Sequence, residues 1–135
     1  MNFSVNILPL IIGGFFNMIL GAMWYSNVLF AKAWMKESGV TEEAISDNSN
    51  MGIVYGFTFL TAFLTSYVIG FIVTNLALTS IVHAVILAII IWLGTDFPMI
   101  IKNWGFEGRS IKLGLINHSY QLVVYLVVGI LFILL

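Results

Sequence analysis

The fold is decided by residues 48–95, NSNMGIVYGFTFLTAFLTSYVIGFIVTNLALTSIVHAVILAIIIWLGT, a stretch without any charged side chain. As one straight helix it would extend about 70 Å, more than twice the ~30 Å thickness of a bilayer's hydrocarbon core. Asn75 and the Thr79-Ser80 pair interrupt the apolar run near its middle. The stretch therefore predicts two membrane-spanning helices of about 20 residues each, over 51–74 and 79–103.

Two more charge-free stretches flank this pair, at residues 1–31 and 113–135. They predict a first span at about 7–30 and a last span at about 111–134. Pro98 falls inside the third span, where it removes a backbone hydrogen bond, so we expect a kink there. The sequence thus predicts an all-α protein whose residues 1–135 form one transmembrane domain, a bundle of four helices.

The composition excludes several classes of protein. Only 8% of the 135 residues are charged and 61% are hydrophobic, whereas a soluble domain carries roughly 25% charged residues. A soluble enzyme, a disordered tail and a nucleic-acid binder are therefore excluded, the last because it needs a basic patch. The chain has no cysteine, and its N-terminus lacks the basic region and cleavage site of a signal peptide, so we expect the first span to be retained.

The positive charges predict the orientation in the membrane. Every Lys and Arg lies in one of two loops, the first after span one and the second between spans three and four: Lys32, Lys36, Lys102, Arg109 and Lys112. Four crossings place both loops on the same side, and positively charged loops remain in the cytoplasm. The two polar loops are therefore predicted to be cytoplasmic and both termini to face outward.

Aromatic residues mark the first of these loops, which begins WYSNVLFAKAWMKESG at 24–39. Rings such as Trp24, Tyr25 and Trp34 settle at the depth of the lipid headgroups, so we interpret them first as interfacial anchors. A surface for a partner is the alternative. In the second loop, NWGFEGRSIK at 103–112, Glu107 and Arg109 are close enough in sequence to pair.

The strings WYSNVLFAKAW at 24–34 and FEGRSIKLGLIN at 106–117 resemble the small membrane proteins grouped as domain of unknown function 1761. The resemblance extends over nearly the whole chain, although Ser110 stands where that family usually has proline. It implies a four-helix integral membrane protein of a mostly bacterial family without an established activity, and hence the bacterial inner membrane as its location. Positions that matter in such a family would include Trp24, Tyr25, Trp34, Glu107 and Arg109.

Small residues recur at helical spacing within the spans. Gly13, Asn17 and Gly21 share one face of span one, and a regular series runs through the second span from Thr58 to Gly70, preceded by Gly52-x-x-x-Gly56. Small side chains at steps of four allow membrane helices to approach closely. This spacing predicts helix–helix contacts, within one copy or between copies.

Polar residues form a stripe on one face of the last span, about three turns deep. Its members are Gly114, Asn117, His118, Gln121, Tyr125 and Gly129. We favour hydrogen bonds between helices as the role of this stripe and of Asn17 in span one. The alternative is a hydrated path or a binding cleft, because polar groups in membranes tend to face a bundle interior or water.

Asp96 is the carboxylate that the sequence places inside a span. A carboxylate at that depth is a functional candidate by default, but headgroup water or Lys102 could satisfy it. His118 is a conceivable proton partner for Asp96, although the sequence does not fix their distance. His83 near the outward end of span three is interpreted as a structural histidine, and a metal site is not expected.

These observations leave two function classes open. We favour a structural or accessory membrane component that assembles through its small-residue helix faces. The alternative is an oligomeric transporter or channel for a small solute or ion that uses the polar stripe of the last span. No catalytic motif is present, so neither an enzyme nor a cofactor is expected. The expected partners are the lipid bilayer and further copies of the chain, and not nucleic acid.

Overall fold

The computed structural model of the protein describes residues 1–46 and 50–135, and these residues form helices joined by short turns, without a strand. The helices are α1 (Ile7–Trp24), α2 (Ala31–Ser38), α3 (Glu42–Ser46), α4 (Met51–Asn75), α5 (Ile81–Gly105) and α6 (Ile111–Leu134). Four of them, α1, α4, α5 and α6, are long and apolar enough to cross a membrane. This confirms the predicted all-α class with four candidate spans.

The first helix ends earlier than the sequence predicted. α1 stops at Trp24, whereas the apolar pattern continued to about Phe30. The Ser26 hydroxyl donates to the carbonyl of Met23 at 2.7 Å, and the Phe30 N–H turns back to the carbonyl of Trp24 at 3.0 Å. These bonds satisfy the last carbonyls of α1 and turn the chain into α2.

The other helix ends follow local hydrogen-bonding rules. Ser80 and Ser110 cap α5 and α6 by accepting from the backbone N–H groups of Val82 and Leu113, which is the role preferred for serine at this position. α5 continues through Pro98 without a change in helix type. Gly108 adopts a positive φ of 65° in the turn before α6, a conformation in which glycine is unstrained.

The last long helix, α6, lies at the centre of the bundle. It packs against α1, α4 and α5, and α5 packs chiefly against it. The core cluster combines Ile69 and Val73 of α4 with Val124 and Val128 of α6, both of which are fully buried. Because α6 contacts each of the other three long helices, its polar face determines which side chains meet inside the bundle.

Most of the small residues that the sequence singled out serve this internal packing. A Cβ atom at Gly13 would lie 2.5 Å from the Ser66 hydroxyl, and Gly129 lies against Ala84 of α5 and Ile69 of α4. The Ser66 hydroxyl itself donates to the Leu10 carbonyl of α1 at 2.9 Å. Helix contacts within one copy therefore account for much of this spacing. The Gly52-x-x-x-Gly56 pair differs, because a Cβ at either position would meet open space.

Candidate functional site

A carboxylate between α5 and α6 forms the centre of the most unusual polar cluster in the described chain. One oxygen of Asp96, Oδ1, lies 2.7 Å from Nδ1 of His118, and the other, Oδ2, accepts from the Tyr125 hydroxyl at 2.9 Å. The Thr95 hydroxyl lies 3.0 Å from the same Oδ2 and 2.7 Å from the carbonyl of Ile91. We call Asp96, His118, Tyr125 and Thr95 the Asp96 centre.

Helix geometry explains how these four side chains meet. His118 and Tyr125 are seven residues apart on α6, two helical turns, so they project from the same face one above the other. Asp96 of α5 lies opposite the interval between them and reaches one with each oxygen. The Trp92 indole, one turn earlier on α5, donates to the backbone carbonyl of His118 at 2.7 Å, which fixes the register of the two helices.

The burial of the two ionisable groups differs. The Asp96 side chain is 8% exposed and that of His118 is 20% exposed. An isolated carboxylate in such a place is strongly disfavoured, and it is tolerated when donors satisfy its oxygens. Here an imidazole and two hydroxyls surround it. The imidazole is the more exposed member of the Asp96–His118 pair.

This arrangement corrects the interpretation that the sequence favoured for Asp96. The carboxylate is buried against α6 rather than placed in headgroup water, and within the described residues the side chain that contacts its Oδ1 is His118 and not Lys102. His118, which the sequence suggested only as a conceivable proton partner, is therefore the side chain that contacts Asp96. His83 is exposed near the start of α5, and in the described part of the chain no three His, Asp or Glu side chains cluster as metal ligands would.

Two hydroxyls connect the Asp96 centre to a cavity. Tyr125 and Thr95 are the polar residues nearest the carboxylate on the wall of a groove of about 610 Å³ between α4 and α5. The remaining lining is mostly aliphatic: Leu64, Thr65, Val68, Ile69, Ile72, Ile90, Ile91 and Gly94. A molecule in this groove could contact the Tyr125 hydroxyl, which is one hydrogen bond from Asp96. We call this cavity the Tyr125 groove.

The predicted stripe on α6 divides into separate contacts. His118 and Tyr125 face Asp96, whereas Asn117 accepts from the Tyr25 hydroxyl at 2.9 Å through its side-chain oxygen. Asn17 of α1 is buried and is hydrogen bonded by the Tyr120 hydroxyl, which lies 2.8 Å from its backbone carbonyl. Gln121 makes no side-chain hydrogen bond with the described residues. The stripe is therefore mainly a set of bonds between helices, with one ionisable centre within it.

Sequence reasoning missed three contributors: Tyr120, Thr95 and Trp92. Tyr120 is one residue outside the stripe and reads as an apolar aromatic, and Thr95 is adjacent to Asp96 in the chain. The sequence does contain a signal for these three residues, because a hydroxyl or an indole N–H in an apolar helix needs a hydrogen-bonding partner.

The segments 24–34 and 106–117, which carry the family resemblance, contact each other at one end of the bundle. All five Lys and Arg side chains lie at this end, which we call the charged end. The Trp24 indole donates to the Ile116 carbonyl at 2.8 Å, next to the bond between Tyr25 and Asn117. Burial raises the pKa of Tyr25 to about 12, so its hydroxyl remains a proton donor at neutral pH. Both residues thus bind α6, whatever they also contribute at a lipid surface. Trp34 stacks edge-on against Tyr25, with ring centroids 6.0 Å apart.

The predicted pairing of Glu107 with Arg109 is present. Nε of Arg109 lies 3.1 Å from a carboxylate oxygen of Glu107, and both side chains are more than half exposed. Exposed pairs of this kind contribute at most about 1 kcal/mol. The pair is therefore a minor element of the site.

The fold and the buried centre describe a multi-pass helical bundle with an ionisable group between its helices. The sequence pattern of the family described as protein of unknown function (DUF1761) matches residues 8–133. The chain belongs to this family. Comparison with curated proteins and with solved structures gives no match.

Proposed function

We propose that this protein is a small multi-pass membrane transporter that exchanges protons at the Asp96 centre. The observation that carries the proposal is a carboxylate and an imidazole 2.7 Å apart within helices that are apolar enough to span a membrane. Ionisable pairs in such surroundings are costly, and they typically belong to ion pathways and proton relays. In this proposal the residues of the Asp96 centre move protons and form no covalent bond with a solute.

The Tyr125 groove suggests what moves with the proton. Its aliphatic walls favour a small, largely apolar solute, and the hydroxyls of Tyr125 and Thr95 offer that solute hydrogen bonds. A solute that binds Tyr125 competes with Asp96 for its hydroxyl proton. Binding in the groove is thereby linked to the Asp96 centre through the hydrogen bond that Tyr125 donates to the carboxylate.

Proton flux into vesicles tests the proposal. Purified protein is reconstituted into liposomes that contain a pH-sensitive dye, a potential is imposed with potassium and valinomycin, and acidification is followed with and without a panel of small amphipathic solutes. We expect flux with the wild type and a fall to the rate of empty liposomes with Asp96→Asn. Glu107→Gln, which removes a surface carboxylate, is the matched control and should retain the flux.

Vesicles that remain proton-tight with wild-type protein under every solute condition would contradict the transporter proposal. They would support the other function class, a structural or accessory component. One observation, on two glycines of α4, favours that class. Gly52 and Gly56 of α4 face open space, and pairs of glycines four residues apart are common where membrane helices dimerise. Homo-oligomers would then form through this face of α4.

We place the protein in a cytoplasmic membrane with its charged loops inside and its termini outside, because all five Lys and Arg side chains lie at one end of the bundle. A reporter that is active only in the cytoplasm should be silent when fused after Leu135 and active when fused at Gly108. The opposite pattern in cells would invert this orientation.

A further inference from the structure

A crevice opens between α1 and α4 at the charged end of the bundle. Two cavities of about 850 and 530 Å³ meet there, and both are lined by Tyr25, Val54, Tyr55 and Thr58. Volumes in this range are typical of sites for small molecules. The crevice meets a different part of the α6 surface from the Asp96 centre, because Asn117 lines it while His118, about 100° further round the helix, faces Asp96.

The crevice exists because the first half of α4 stands away from the bundle. Residues 52–61 are all exposed, and Ala62 is the first buried residue of the helix. Beyond that point α1 and α4 are in close contact, with Phe63 lying over Gly14. From Met51 to Ala62 the open part of the helix is about 16 Å long.

The mouth of the crevice carries the chemistry that attracts a cation. Its described lining residues include three aromatic side chains, Tyr25, Trp34 and Tyr55, and one charged group, the Glu42 carboxylate. Among its described lining residues there is no Lys, Arg or His. Ring faces and a carboxylate both attract a positive charge, and aromatic clusters of this type bind quaternary ammonium groups.

The inner part of the crevice has a different character. Met18, Ala22 and Val54 contribute apolar walls, and the deepest polar groups, Asn17 and Tyr120, are hydrogen bonded to each other. The Asn17 side-chain oxygen and the Tyr120 hydroxyl already have each other as partners. Because the rest of this part is mostly apolar, it favours the apolar atoms of a ligand.

We infer that this crevice binds an amphipathic organic cation. The headgroup, a quaternary ammonium or a similar cation, sits between Glu42 and the rings of Tyr25, Trp34 and Tyr55, and the alkyl tail lies along α4 towards Asn17. The inference is independent of proton exchange at Asp96. Binding at the crevice is measured directly, so its failure and the failure of the transport proposal are distinguishable.

Calorimetric titration of the purified protein in dodecyl maltoside tests the inference, with octyltrimethylammonium as the probe. Octyl sulfate, which has the same tail and the opposite charge, is the control ligand. We expect saturable binding of the cation at one site per chain and no saturable binding of the sulfate. Equal binding of both ligands would overturn the inference, because the tail alone would then account for it.

Two substitutions on the same short helix locate the site. Glu42→Gln should weaken binding of the cation by about tenfold, the order expected when a charged partner is lost. Glu43→Gln, which changes an adjacent carboxylate that does not line the crevice, should change the affinity less than twofold. Equal losses in both variants would overturn the inference, because they would indicate a general surface charge effect.

A third variant tests the aromatic part of the site. Trp34→Leu should weaken binding of the cation, whereas Trp34→Phe should retain most of it, since a smaller ring still offers a face to the charge. Retention of full affinity in Trp34→Leu would overturn the role of the rings. Asp96→Asn should bind the cation as the wild type does, and this comparison separates the crevice from the Asp96 centre.

Discussion

Replacing His118 by leucine should lower the free energy of unfolding by about 3 kcal/mol, because it removes the imidazole partner of the buried Asp96 carboxyl group. The 2.7 Å contact between the two side chains disappears, and leucine offers no donor in its place. The hydroxyls of Tyr125 and Thr95 remain near the carboxylate. We therefore expect a loss at the lower end of the range of about 3–5 kcal/mol that follows the removal of one partner from a buried pair. Denaturant titration in detergent micelles, followed by circular dichroism, measures the effect.

A second background shows whether the pair itself is responsible. In a protein that already carries Asp96→Asn, the change of His118 to leucine should lower the free energy of unfolding by about 1 kcal/mol or less, since no buried charge is left unpaired. His83→Leu is the matched control, because His83 is exposed, and it should stay within about 0.5 kcal/mol of wild type. Equal losses for His118→Leu in both backgrounds would contradict a stabilising role for the pair.

Replacing Gly13 by leucine should have the other large effect on stability, a loss of about 3 kcal/mol. A Cβ atom at this position would lie 2.5 Å from the Ser66 hydroxyl and 3.2 Å from a methyl group of Val128. Val128 is fully buried and cannot move aside, so α1 must separate from α4 and α6. The same titration measures the loss.

Gly56→Leu provides the comparison for Gly13→Leu. Both changes put leucine in place of a glycine in an apolar helix, but a Cβ at position 56 meets no atom within 4 Å. We expect its stability to equal or exceed that of the wild type, because leucine has the better helix propensity. If both variants were equally destabilised, the cause would lie in the helix itself and not in packing between helices.

The number of long helices could be predicted because charge is distributed along the chain in one dimension. The break between α4 and α5 lies at Leu76–Ser80, close to Asn75 and the Thr79-Ser80 pair that interrupt the apolar run. Ladders of backbone bonds within each helix satisfy every span internally, so the position of a span depends little on the rest of the fold. The order of charged, polar and apolar residues along the chain was therefore sufficient for this level of structure.

The Asp96 centre could be predicted only in part. The sequence places His118 and Tyr125 on one face of α6, and it places Asp96 inside a span. It does not give the rotation of α5 about its axis, which is set by packing and by the bond from the Trp92 indole to α6. Since the partners are on different helices, a helical periodicity can identify each face but not which faces meet.

The end of α1 was missed for a similar reason. Residues 25–30 carry no charge and extend the apolar pattern, although Ser26 and Asn27 are residue types that favour turns. The turn at Ser26 is stabilised by contacts with α6, because Trp24 and Tyr25 donate to Ile116 and Asn117. Tertiary contacts of this kind act together with the local bonds of Ser26 and Phe30, and the tertiary part is not encoded within any short window of sequence.

The central position of α6 has a consequence for biogenesis. α6 follows α1, α4 and α5 in the chain, yet α6 is the main packing partner of α5 and carries the imidazole that faces Asp96. A nascent chain that has inserted only α1, α4 and α5 therefore contains Asp96 without its partner His118. The bundle can close only after α6 has been inserted, and until then Asp96 lacks the imidazole that faces it in the folded bundle.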